Sequence, residues 1–114
     1  MVTLSPASIV VIPFPFSDLS GTKLRPALVL AETGQDDWLL CQITSNAQID
    51  PAAIRLTNGE LSQGALNRVS YVRPMKLFTA NLNLIVKRIA ILNNDTFKTI
   101  LTATIQSLQQ NMPQ

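Results

Sequence analysis

The sequence predicts a mainly β fold closed by one C-terminal helix. Three observations predict it: short β-branched runs recur between residues 8 and 92, turn residues separate them at close spacing, and a helical apolar period takes over near Asn94. Strands so short and so closely spaced suit a small barrel or a curled antiparallel sheet. The 114 residues make a single domain with one modest core. Apolar residues at 46% against charged residues at 14% supply enough burial for a packed interior, which excludes a disordered chain.

Residues 8–13, SIVVIP, are β-branched and open the first strand. Pro13 and Pro15 have no N–H to donate, so the chain either leaves regular pairing there or runs along an edge. Residues 16–23 are polar with one glycine, as in a long hairpin loop. A second strand over 26–32 and a turn around Gly34 follow, and then a third strand over 37–44. Beyond a polar loop through Asp50-Pro51, residues 53–57 make a short fourth strand that Asn58-Gly59 turns back. Residues 66–72 read as a fifth strand leading into Arg73-Pro74, and 84–92 as a sixth. Phe97, Ile100, Leu101, Thr104, Ile105 and Leu108 then fall on one stripe of a helix over about 94–110, which predicts that the stripe packs on the core. Asn93 or Asn94 is placed to cap it, Asp95 suits the dipole of its first turn, and the last residues, 109–114, are expected to fray.

Composition narrows the chemistry. No apolar run approaches the roughly 20 residues that span a bilayer. Residues 1–7 carry no charge, unlike a signal peptide, and the single Cys41 has no disulfide partner, so a reducing cytoplasm is the expected location. Without histidine the chain lacks the commonest metal ligand and the commonest acid–base group near neutral pH. One Cys and no His do not build a structural zinc site. Catalysis would therefore run on Arg, Lys, Asp, Glu, Ser, Thr or Tyr. The net charge of +2 is unevenly spread: residues 61–94 contain Arg68, Arg73, Lys76, Lys87 and Arg88 without any acid. Gathered on one face, these would attract a polyanion; scattered, they are ordinary solvated charges.

Two blocks carry a family resemblance. The first runs IVVIPFPFSDLSGTKLRPALVLA from Ile9 and continues as WLLCQITS from Trp38; the second is SYVRPMKLFTANLNLIVKRIAIL from Ser70. Together they resemble the MazF/PemK toxins, in which a strand ends in a Pro-rich loop, Lys-x-Arg-Pro opens the next, and the third ends in Ile-Thr. The resemblance implies a curled SH3-like barrel of the MazF/PemK/CcdB type, found as a homodimer. It also implies cleavage of single-stranded RNA without metal or cofactor, and inhibition by a cognate antitoxin.

On the same resemblance, Arg25 and Thr44 are the expected catalytic residues. A guanidinium stays charged and offers a planar fork of donors to the phosphorane-like transition state, and a hydroxyl can orient the phosphate or the attacking 2′-OH. Ser45 is a neighbour able to touch a phosphate. Arg68 and Ser70, read as facing one way on a strand, stand where the PemK branch has an Arg and an Asp two residues apart. Ser70 is no base near neutral pH, which leaves the general base open; Asp18 and Glu60 are the available substitutes. Phe16, Ser17 and Lys23 in the first loop, with Arg73 and Lys76, are the expected RNA-binding residues. Tyr71, Phe14 and Trp38 offer either stacking faces or core packing, and Phe16 is the best placed to stack. The competing reading is a degenerate or non-catalytic toxin of the same fold that binds RNA, antitoxin or a protein target such as gyrase. The gyrase-binding branch uses a Trp near the helix end, whereas the tail here reads QQNMPQ.

Overall fold

The computed structural model describes residues 3–15 and 20–114. Among them are seven strands: β1 Ser8–Pro15, β2 Thr22–Gly34, β3 Asp37–Thr44, β4 Ile54–Leu56, β5 Leu61–Gly64, β6 Ser70–Asn81 and β7 Lys87–Leu92. The helix α1, Asn94–Gln109, follows them. The strands form one antiparallel sheet in the order β4-β6-β3-β2-β1-β7-β5. Among the described residues no helix is long and apolar enough to cross a membrane.

The sheet curls, and the central strands are buried on both faces. Alternate residues therefore feed two cores. Ile9, Leu28, Leu30, Cys41, Ile43, Val72 and Leu92 pack with Ile100 of α1 on one side. Val10, Ile12, Ala27, Val29, Trp38 and Leu40 pack with Ala80 and Ile85 on the other. This is why β2 reads as the unbroken apolar run Ala27-Leu28-Val29-Leu30 with no polar alternation.

Several elements differ from the expectation. β1 runs on through both prolines, pairing Pro13 with Leu24 and Pro15 with Thr22. β7 accompanies it only as far as Val11, so the prolines lie on an edge stretch, where a missing N–H costs no ladder bond. β2 begins at Thr22, within the expected loop, and Arg25 sits inside that strand opposite Ile12. Against the fifth strand expected over 66–72, residues 66–69 lie off the sheet and β6 starts at Ser70. Arg73-Pro74 does not end it. Cys41 pairs with Leu77 and Ile43 with Val72, so residues 73–76 bulge outward opposite Gln42. The 84–92 strand shortens to β7, behind a 3-10 turn at Leu82–Leu84.

β5 has no counterpart in the sequence pattern. It follows a 3-10 turn, Asn58–Glu60, whose capping box joins Thr57 and Glu60. Gly64 closes β5 with φ +82° opposite Ala90. A Cβ there would collide with the Ile89 carbonyl and lie 2.7 Å from Ala90 Cα, so the strands approach this closely because no side chain intervenes.

α1 is capped by Asn93, whose Oδ1 accepts the Thr96 N–H at 2.8 Å. Phe97, Ile100, Leu101 and Thr104 pack inward as expected. Ile105 and Leu108 do not, at 51% and 54% exposed. The helix lies mainly along β6.

Candidate active site

The groove opens where β2 and β3 part. Their register ends with Ala27 opposite Gln42; carried two residues further, it sets Arg25 against Thr44. A cavity of about 330 Å³ lies here, lined by Lys23, Arg25, Thr44, Ser45, Arg68 and Ser70 over an apolar floor that includes Val11, Ile43 and Ile89. The floor comes from β1, β3 and β7, and the rim from β2, the end of β3 and the segment before β6. Residues 43 positions apart in sequence, Arg25 and Arg68, thus share one wall-to-wall space.

Each rim element is fixed locally. Lys23 and Arg25 project from a strand whose pairing with β1 is continuous from Thr22 to Leu28. Thr44 Oγ1 accepts the Asn46 N–H at 3.1 Å and has no other partner among the described residues, which leaves its own proton to donate. The segment carrying Arg68 is pinned twice: Asn58 Oδ1 accepts the Leu66 N–H at 2.8 Å, and Ser70 Oγ donates to the Arg68 carbonyl at 3.1 Å. Arg68 is therefore held by a turn and not by the strand expected for it.

Electrostatically the lining is one-sided. Lys23, Arg25 and Arg68 are exposed; among the described residues no Asp or Glu lines the cavity, and none of the three cations is ion-paired. Low-dielectric walls beneath a group of like charges concentrate their field, so the groove is a place for an anion. Among the described residues no three of His, Cys, Asp and Glu gather as metal ligands.

Other expected residues stand elsewhere. Arg73 does not line the groove: its Nε meets Asp50 Oδ2 at 3.1 Å and its Nη1 donates to Gln42 Oε1 at 2.7 Å. Lys76 is exposed further along the same bulge. Glu60 is engaged in its capping box, accepting the Thr57 N–H at 2.7 Å, and does not line the groove. Ser70, 6% exposed, serves as a hydrogen-bond donor to backbone. Trp38 is buried in the second core, and Phe14 packs edge-on against Phe78 with centroids 5.0 Å apart. Tyr71 is half-buried between Thr44 and Arg55 in one cross-strand row. Phe16, Ser17 and Asp18 lie outside the described residues.

Leu24, Leu66 and Asn67 also line the groove, and Asp50 pairs with Arg73, none of which the sequence reading anticipates. Leu24 is 55% exposed between two cations, although alternation along β2 sets it on the same face as buried Leu28, so the sequence pattern gives no sign of that exposure. Asn67 carries no signal either.

The fold has counterparts among known proteins. A family model described as PemK-like, MazF-like toxin of type II toxin–antitoxin system matches residues 5–108. Among solved structures, the chain is similar to one in a MazE–MazF crystal structure from Deinococcus radiodurans, with 17% identity and a TM-score of 0.74 over 93% of this chain and 96% of that one. It is also similar to one in an endoribonuclease complex with its cognate antitoxin from a Mycobacterial species, with 12% identity and a TM-score of 0.69 over 97% and 100% of the respective chains. At such identities the likeness is one of fold. No curated protein matches the sequence.

Proposed function

The chain belongs to the PemK-like, MazF-like toxins of type II toxin–antitoxin systems, and from that premise we propose that it is an endoribonuclease that cuts single-stranded RNA without a metal ion. The observation that carries the reading is the convergence of Arg25, Thr44 and Arg68 on one cationic groove, with no carboxylate among its described lining residues.

The ribose 2′-OH attacks the adjacent phosphorus. An O2′–P bond forms, the P–O5′ bond breaks, and the products carry a 2′,3′-cyclic phosphate and a 5′-OH. The proton leaves the 2′-oxygen, and one is taken up by the departing 5′-oxygen. Charge gathers meanwhile on the non-bridging oxygens, where Arg25 and Arg68 supply fixed positive donors. Thr44 donates its hydroxyl proton to the phosphate and holds it in line for attack. Lys23 attracts the neighbouring phosphate, and Leu24 with Pro26 offers an apolar ledge to a base. With the described lining lacking a carboxylate, charge stabilisation and orientation carry the rate, and proton transfer runs through water.

In the cell the protein acts in the cytoplasm as a homodimer, with RNA across the dimer face, until a cognate antitoxin covers it. A second reading rests on that same lining: a degenerate toxin that binds RNA or antitoxin without turnover. One experiment separates them. Purified protein is incubated with a long, sequence-diverse single-stranded RNA in EDTA, and the fragment ends are determined. Discrete fragments with cyclic phosphate and 5′-OH ends are expected, lost in Arg25→Ala while its melting temperature stays near that of the wild type. Full activity in Arg25→Ala would refute the assignment, and binding without cleavage by the wild type would establish the degenerate reading.

A further inference from the structure

Arg73 belongs to the basic stretch of the sequence, yet it does not line the groove and its guanidinium is engaged by other protein groups. What it holds explains the geometry next door. β3 and β4 flank β6 on opposite edges, so the connection from Thr44 to Ile54 has to cross β6. This crossing strap, residues 45–53, begins with Ser45 on the rim of the groove.

The strap is tied at both ends. At its start, the Asn46 N–H is donated to Thr44 Oγ1 at 3.1 Å, and Asn46 Oδ1 accepts the Gln48 N–H at 3.0 Å. Near its end, Asp50 uses both carboxylate oxygens: Oδ1 accepts the Ala52 N–H at 2.9 Å and Oδ2 meets Arg73 Nε at 3.1 Å. Arg73 in turn donates to Gln42, which lies on the same face of β3 as Thr44, one alternation away. The base of this construction is also fixed. Arg73 opens the bulge opposite Gln42, and the next residue, Pro74, has its carbonyl capped by the buried Thr104 hydroxyl of α1 at 2.9 Å.

We propose that Arg73 is a positioning residue for RNA cleavage, clamping the strap through Asp50 so that Ser45 and the Thr44 hydroxyl keep their places in the groove. The inference rests on the nuclease reading above. Releasing the clamp lets Asn46 withdraw from Thr44, and the Thr44 hydroxyl then loses the acceptor bond that aims its proton at the phosphate.

The test uses the purified chain and a single-stranded RNA carrying a fluorophore and a quencher. Asp50→Asn and Arg73→Gln should each lower kcat on the order of ten- to a hundred-fold, the loss expected for a reacting group displaced by about 1 Å. KM should stay within about threefold, because neither residue touches the RNA. The double variant should be no worse than either single one, since both break the same link. Exchanging the partners, Asp50→Arg with Arg73→Asp, should recover part of the lost kcat, because the ion pair returns while the bonds to Ala52 and Gln42 do not, and that recovery separates a lost clamp from a damaged fold. Unchanged kcat in both single variants, with an active wild type, would overturn the inference and leave the nuclease reading standing. So would a KM that rises in Arg73→Gln but falls in Asp50→Asn, which is the signature of an arginine bound directly to RNA. A wild type that cuts nothing would remove the nuclease reading and this inference together, and it would do so before any substitution is made.

Discussion

Replacing Gly64 by alanine tests how far the groove depends on one close approach between strands. The backbone at Gly64 has φ +82°, where an L side chain costs about 1–2 kcal/mol. The added Cβ would also lie 2.7 Å from Ala90 Cα and collide with the Ile89 carbonyl. Ordinary carbon contacts begin near 3.5 Å, so β5 must retreat from β7 by roughly 1 Å. Forced overpacking of this kind costs about 1–3 kcal/mol, which brings the total to about 2–5 kcal/mol. Gly34 supplies the control. Its φ is +113°, yet nothing lies within 4 Å of where an alanine methyl would stand, so Gly34→Ala carries the backbone strain alone. Urea unfolding of both variants gives the difference directly. Gly64→Ala should be the less stable by about 1–3 kcal/mol. RNA cleavage should fall with it, because β5 leads straight into the segment that carries Arg68. Equal stability loss in the two variants would refute the close-approach argument.

Two further outcomes follow from titrating groups. The Cys41 thiol is buried, and that burial pushes its pKa up to about 12. A disulfide reagent should therefore modify it slowly at neutral pH and rapidly once urea unfolds the chain; fast modification of the native protein would contradict its burial. Asp50 is held below the usual carboxylate range by the Ala52 N–H and then by Arg73. A carboxylate with a depressed folded pKa stabilises fully above its unfolded value of about 3.9, and that stability is lost as pH falls through the folded pKa. The melting temperature of the wild type should thus exceed that of Asp50→Asn by a constant amount from pH 7 to about 5, and the gap should close in stronger acid. A gap that widens on acidification would reverse the sign of the argument.

The parts of the fold legible in the sequence are those in which a single segment contains its own instructions. β3 is legible to its bounds because a turn at Gly34-Gln35-Asp36 precedes it and a polar loop follows Thr44. The helix is legible from its cap and its stripe, although where the stripe leaves the core depends on how much of β6 lies beneath it. Proline at 74 announces a break in hydrogen bonding. A turn and a bulge both require that break, and only the partner strand decides between them. β5 has one apolar residue in Leu-Ser-Gln-Gly, so its existence is owed to the edge of β7. The site divides in the same way. Arg25 and Thr44 stand out through family resemblance, while their meeting with Arg68 follows from a curl that no local pattern encodes. Asp50 and Arg73, 23 positions apart, give no sign of each other.

The position of β1 sets the order in which the molecule can be finished. It lies between β2 and β7, pairing Ile9 with both Leu28 and Ala90. During synthesis the first strand can join β2 early, but its other edge stays open until residues near 90 have left the ribosome. Val11 and Ile89 both belong to the groove floor, so that floor closes among the last parts of the chain to be made. Closing so long a loop is entropically slow, which places folding nearer the millisecond-to-second regime than the microsecond one. A truncated or stalled chain ending before β7 lacks Ile89 and the strand that pairs with the second edge of β1, so it lacks one side of the groove floor.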